Sequence, residues 1–144
     1  MLSRLWWVAA EAAPSFLDLP FRVPLSVRHR VYSYGACSTC RKALSWLKEE
    51  GIDVESIDIT LTPPSVAELE AALHQLGSRS RLFNTSGQSY RALGAQRVQS
   101  MGDAEALAAL AADGKLIKRP FLVTADGRIT TGFRPEEWLE LLKA

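Results

Sequence analysis

Val31-Tyr32-Ser33-Tyr34-Gly35-Ala36-Cys37-Ser38-Thr39-Cys40-Arg41-Lys42-Ala43 runs from one kind of local structure into another. Val31 to Tyr34 is rich in β-formers and reads as a short strand. Gly35-Ala36 turns the chain out of it. From Ser38 to Glu50 the apolar residues change period: Cys40, Leu44 and Leu47 fall at i, i+4 and i+7, with Ala43 beside them, which is one face of a helix. Gly51 stands where a left-handed residue stops that helix. Val54 to Ile59 then alternates with period two and reads as a second strand. A strand, a crossover helix and a strand imply a parallel pair.

The rest of the chain extends this unit. Pro63-Pro64 punctuates it, and Ser65-Val66-Ala67-Glu68 has capping-box spacing, with Ser65 as N-cap. Leu69, Leu73 and Leu76 supply the apolar stripe of the helix that follows, and Gly77 ends it. His74 sits in that helix as an ordinary polar residue. Residues 78–102 are rich in Ser, Gly, Asn and Arg and hold one short helix, Ser89 to Leu93. Asp103 caps a further helix, Ala104 to Ala112, which Gly114 ends. Phe121 to Thr124 and Arg128 to Thr131 are strands joined through Ala125-Asp126-Gly127, a hairpin signal. Pro135 opens a last helix, Glu136 to Leu142, at the position proline favours. The order β-α-β-α, a helical segment, then β-β-α predicts an α/β fold: a thioredoxin-like core with a mixed four-stranded sheet and a helical insertion over about Ser78 to Lys115.

Residues 1–29 differ from this pattern. They hold three of the seven prolines, two of the four tryptophans and no steady periodicity. They read as an N-terminal extension, with a short helix over Leu5 to Ala12, or as the product of a start codon assigned too far upstream. The domain is expected over residues 30–144. The weak apolar stretch after Arg4 is cut short by Glu11, so a cytoplasmic location is expected in place of export. No apolar run reaches the length of a membrane span.

The whole chain has 144 residues, 47% apolar and 23% charged, which is the composition of one globular domain. A net charge of +1 excludes a general electrostatic nucleic-acid binder. The only two cysteines, Cys37 and Cys40, are too close in sequence to staple distant segments. They cannot fill a four-ligand zinc site, and His29 and His74 are not spaced to complete one. No Gly-rich nucleotide loop is present, so no bound cofactor is expected.

The chemistry therefore centres on Cys37-Ser38-Thr39-Cys40. Cys37 is placed at a helix N-terminus, where unpaired N–H groups and the macrodipole favour an anion. Arg41 and Lys42 add positive charge nearby. Each effect lowers a thiol pKa. Cys40, one turn on, faces the apolar side. Cys37 is thus the expected attacking thiol and Cys40 the resolving one. Lys118-Arg119-Pro120 precedes the third strand; in a thioredoxin-like arrangement Pro120 is cis and faces the cysteines, which turns the Arg119 guanidinium towards the thiolate or an oxyanion.

Four stretches carry a resemblance: Tyr34 to Ala43, Phe83 to Tyr90, Leu116 to Val123 and Gly132 to Trp138. In order and spacing they resemble the arsenate reductase C family, which includes the Spx and MgsR regulators. The resemblance covers about 115 residues, from Val31 onwards. It implies that Cys37 is the nucleophile and that Arg119 and Arg134 grip an oxyanion. A third family arginine would fall near Asn84, and Ser33 stands where the reductases place a histidine; both departures weaken arsenate binding. The implied electron donors are glutathione with glutaredoxin, or thioredoxin, as partners. The Cys pair also resembles the disulfide switch of regulators that bind RNA polymerase. The reading is a thiol-dependent reductase acting on an oxyanion or thiol substrate; the alternative is a redox-switched regulator. A general glutaredoxin-like disulfide reductase would leave the insertion and the arginines unexplained.

Overall fold

The computed structural model describes Arg28 to Lys143. The expected extension, apart from Arg28 and His29, lies outside the described residues, as does the helix expected over Leu5 to Ala12. The elements are β1 (His29–Ser33), α1 (Ser38–Glu49), β2 (Val54–Asp58), α2 (Val66–Leu76), α3 (Gln88–Leu93), α4 (Ala95–Ser100), α5 (Asp103–Ala112), β3 (Phe121–Val123), β4 (Ile129–Thr131) and α6 (Pro135–Lys143), with 3-10 turns at Arg79–Arg81 and Gly114–Leu116. The sheet order is β2-β1-β3-β4. β1 is parallel to β2 and antiparallel to β3, and β3 pairs antiparallel with β4. This is a mixed four-stranded sheet of the thioredoxin-like type.

Strand alternation sorts the core into two layers. Val31 and Leu122 face one side, packed with Ala43 and Leu47 of α1 and Trp138 of α6. Tyr32, Phe121, Val123 and Ile129 face the other, packed with Leu69 and Ala72 of α2 and with Leu107 and Leu110 of α5. The sheet is thus a middle layer with helices on both faces. The aromatic rings of Trp46, Phe133 and Trp138 meet edge to face on the α1–α6 side, with centroids 5.1 to 6.5 Å apart. Trp138 is fully buried, and its indole N–H donates to the Gly132 carbonyl at 2.9 Å.

Local signals act as their chemistry requires at several element ends. Ser65 and Glu68 form the reciprocal capping box. Gly77 takes φ 79° and closes α2. At the end of α1, Ile52 N–H donates to Leu47 O and Gly51 N–H to Lys48 O, a Schellman pattern with Gly51 at φ 70°. Gly127 at φ 89° turns the β3–β4 loop.

Other element ends differ from the sequence reading. β1 begins at His29, two residues before Val31, because Arg28 is anchored across the sheet edge: its guanidinium donates to Asp53 and to the Val54 carbonyl. The innermost positions of α2 belong to Leu69, Ala71 and Ala72, while Leu73 and Leu76 are only partly buried. α4 follows α3 with only Gly94 between them, a helix missed because Gly94 and the polar run after it read as loop. Gly94 makes that break at φ 94°. Gly102, not Asp103, is the N-cap of α5, and Asp103 opens the helix and pairs with Arg79 at 3.7 Å. Asp113, not Gly114, ends α5. Gly114 serves close packing instead: a Cβ there would lie 1.8 Å from the Ile59 carbonyl oxygen.

Two outcomes follow from these contacts. Trp138→Ala empties a site that three aromatic side chains share, and should cost about 3–5 kcal/mol of unfolding free energy in a urea titration. His29 Nδ1 accepts the Ala125 N–H at 2.8 Å, which requires neutral imidazole. Burial holds its pKa below 6.5, with Arg128 adding to the shift and Asp126 and Asp53 opposing it. The folded chain therefore binds fewer protons than the unfolded one below about pH 6.5, and this stabilisation is lost as pH falls through the depressed folded pKa. His29→Gln should show a flatter stability profile than the unsubstituted chain between pH 7 and 5.

Candidate active site

The junction of β1 and α1 presents the two thiols, both free. Cys37 is the N-cap of α1: the Cys40 N–H donates to Cys37 Sγ at 3.3 Å. Its own N–H is held by the Tyr34 carbonyl at 3.0 Å, and Arg41 closes the preceding turn by donating to the Gly35 carbonyl at 2.7 Å. Cys37 is partly buried, and Cys40 is 1% exposed on the inner face of the helix.

Arg119 enters from the start of β3. The Arg119–Pro120 peptide is cis, and Pro120 is buried. The guanidinium lies over the Tyr34 ring, 5.1 Å from its centroid. Its Nε and Nη1 are buried and meet no hydrogen-bond partner among the described residues. Two unpaired cationic donors at this depth are costly unless something anionic meets them.

The electrostatics separate the thiols. Burial alone would push the Cys37 pKa up; hydrogen bonds from the Cys40 thiol and N–H, followed by the Arg119 guanidinium, outweigh it and leave the pKa lowered. The cation acting on Cys37 is therefore Arg119, in place of the Arg41 and Lys42 that sequence position suggested. Cys40 is pushed up to about 12, first by burial and then by the neighbouring Cys37. The partly buried thiol with the lowered pKa and the fully buried, protonated one are thus distinct groups.

The other sequence-selected residues spread around this centre. Asn84 shares a cavity of about 300 Å³ with Tyr34, Lys115 and Arg119. Its Oδ1 accepts the Ser86 hydroxyl at 3.1 Å, and its N–H donates to the Leu116 carbonyl at 2.7 Å. Arg134 is exposed just before α6, and its guanidinium makes no hydrogen bond or ion pair among the described residues. The loop that carries it runs beside α1, because Phe133 lines a cleft with Ser38, Arg41 and Trp46. Ser33 uses its hydroxyl on Ser56 of β2 at 3.3 Å. Tyr34 and Lys115 were not singled out as site residues. Tyr34 read as a strand residue and Lys115 as the end of the insertion; nothing local marks either as a wall of this cavity. Among the described residues no cluster of His, Cys, Asp or Glu is grouped to hold a metal, and no helix is long and apolar enough to cross a membrane.

A CxxC thiol pair at a strand-to-helix turn, with an arginine acting on the thiols and a cis proline following that arginine into a mixed sheet, defines a thioredoxin-like protein of the arsenate-reductase type. Residues 32–141 match the ArsC family, and the chain belongs to it. It is 43% identical to the uncharacterized protein YusI of Bacillus subtilis over 112 residues, which cover 76% of this chain and 93% of YusI. It is 34% identical to an arsenate reductase of Neisseria meningitidis, covering 77% of this chain and 94% of that one. Regulatory protein MgsR of Bacillus subtilis is 30% identical, with 78% and 88% covered. Among solved structures, the arsenate reductase from Vibrio cholerae superposes with a TM-score of 0.67 at 32% identity, over 79% of this chain and 97% of the other.

Arg119→Ala removes the cation facing Cys37 and leaves the burial that opposes ionisation. The pH midpoint of Cys37 alkylation by iodoacetamide should rise relative to the unsubstituted protein, and the alkylation rate near neutral pH should fall.

Proposed function

We propose that this protein is a thiol-dependent reductase of the arsenate-reductase kind, with Cys37 as nucleophile and Cys40 as resolving thiol. One observation carries the reading: the Arg119 guanidinium, with two unpartnered buried N–H groups, faces the thiol whose pKa is lowered. The same cation that favours the thiolate can hold the oxygens of an oxidised substrate through charge-assisted hydrogen bonds. Arg134, one loop away, is the second candidate for that grip.

For an arsenate-like oxyanion the sequence of steps is as follows. The Cys37 thiolate attacks the pentavalent atom, an S–As bond forms and one oxygen departs as water after protonation. Cys40 loses its proton and attacks Cys37 Sγ. The S–S bond forms, the S–As bond breaks, and its electron pair stays on arsenic, which is reduced from the pentavalent to the trivalent state. An external dithiol such as thioredoxin, or glutathione with glutaredoxin, then reduces the Cys37–Cys40 disulfide. The order of ionisation suits this sequence. While Cys37 is a thiolate its charge opposes loss of the Cys40 proton; once Cys37 has reacted, that opposition is gone. Such a cycle operates where thiols are kept reduced, in keeping with a cytoplasmic location.

The redox-switched regulator is the second reading. Asn84, in place of a third oxyanion arginine, and the relatedness to MgsR favour it. On this reading the disulfide alters a surface that docks on RNA polymerase.

Arsenate reduction coupled to NADPH oxidation through either thiol system separates the two. Cys37→Ser should abolish turnover with every donor. Cys40→Ser should abolish turnover with thioredoxin and retain part of it with glutathione, whose own thiol can resolve the adduct. A protein that forms a reversible disulfide but turns over arsenate with neither donor, and that is captured by polymerase in one redox state, is the regulator.

A further inference from the structure

Arg119 is held differently from the other arginines beside the sheet. Arg30, Arg79, Arg81 and Arg128, partly buried like it, pair with Glu68, Asp103, Glu137 and Asp126 respectively. Among the described residues Arg119 pairs with no carboxylate, and its buried Nε and Nη1 have no hydrogen-bond partner. What its guanidinium does meet is the Tyr34 ring, whose centroid lies 5.1 Å from Cζ. An arginine side chain is long and rich in rotamers, so a guanidinium with no anchor spreads over many positions. The face of an aromatic ring attracts a flat cation, whereas an aliphatic side chain of similar size only fills space.

The choice of an aromatic anchor has an electrostatic consequence. The guanidinium favours the Cys37 thiolate. A carboxylate holding it would bring a negative charge to the same place and oppose that thiolate. A ring holds the cation and leaves its charge uncancelled. Tyr34 is itself fixed on two sides: its ring packs against the core on the α2–α5 face of the sheet, and its carbonyl accepts the Cys37 N–H at 3.0 Å. One residue thus joins the turn that presents the thiol to the cation that acts on it.

We propose that Tyr34 is a positioning residue: its ring holds the Arg119 guanidinium beside Cys37 without neutralising it, and so sets how readily the thiol reacts. This deepens the reading that the site works through Cys37, and rests on it. The groups that bear on Cys37 are Cys40, on the first turn of α1, and Arg119, from the start of β3. Arg41 and Lys42 are exposed, and Arg41 is tied to the Gly35 carbonyl. The ring therefore acts through Arg119 alone.

The pH midpoint of Cys37 alkylation by iodoacetamide tests the assignment, with mass spectrometry separating Cys37 from the buried Cys40. Tyr34→Leu and Tyr34→Met, two apolar replacements of different shape, should each raise the midpoint by about half to one pH unit, the scale of a partly desolvated cation–π contact. Tyr34→Phe keeps the ring and removes the hydroxyl, and should keep the midpoint of the unsubstituted protein. Tyr34→Leu combined with Arg119→Ala should match Arg119→Ala alone, since the ring has no guanidinium left to hold. A merely structural role gives a different pattern, in which Tyr34→Leu adds its own shift to that of Arg119→Ala. Additive shifts overturn the proposal. So does an unchanged midpoint in the apolar variants, or a Tyr34→Phe midpoint that rises with theirs. Alkylation needs only a reactive Cys37, so absence of arsenate turnover would sink the reductase reading and leave this result intact.

Discussion

The site depends on the register between β1 and β3. Tyr32 pairs with Phe121 and Val31 with Leu122 in antiparallel order. Carried one and two residues further, the same register sets Ser33 across from Pro120 and Tyr34 across from Arg119. The arginine therefore lands on the Tyr34 ring, next to the turn that ends in Cys37. A slip of one residue would exchange the faces of the strand, sending Val31 and Tyr32 to the wrong cores. Burial on both sides makes such a slip expensive. The packing of Val31 against α1 and of Tyr32 beneath α2 thus fixes the distance between a thiol and a guanidinium that are 82 positions apart.

Two adjacent cysteines become chemically different by position alone. Cys37 takes the cap, where an N–H of the first turn and the Arg119 cation both favour its charge. Cys40 takes the buried face between helix and sheet, where desolvation dominates. One helical turn therefore divides a reactive group from a reserve group. Their coupling gives an order to the chemistry, since the charge on the first thiol suppresses ionisation of the second.

The insertion contributes more than bulk. α3 to α5 cover the Tyr32–Phe121 face of the sheet, and the 3-10 turn at Gly114 presses under the end of β2. That close approach brings Lys115 and Leu116 alongside Asn84, tied by the Asn84 N–H to the Leu116 carbonyl. Arg81 extends the tie to the hairpin, donating towards Thr130 and accepting the Thr131 hydroxyl on its carbonyl. The wall of the cavity is thus attached to the same strands that place Arg119.

Sequence by itself determined the elements whose signals are local. The change of period after Gly35, the capping box at Ser65 and Glu68, the glycine stops at Gly51 and Gly77 and the Asp126-Gly127 turn each act through neighbours within a few residues. Those signals suffice for a parallel β-α-β unit, a late hairpin and a thiol at a helix start. They did not reveal α4, because a glycine at φ 94° breaks a helical segment that polar residues had already disguised. They misplaced the caps of α5, since Gly102 and Asp113 act there through backbone geometry that neighbouring Asp103 and Gly114 also suit. Only the tertiary structure decided which cation acts on Cys37. Arg41 and Lys42 are close in sequence but project from the exposed side of α1, whereas Arg119 reaches the thiol through a strand pairing. Likewise, Lys115, Asn84 and Tyr34 become neighbours through contacts across three segments, and long-range proximity of that kind leaves no mark on local residue spacing.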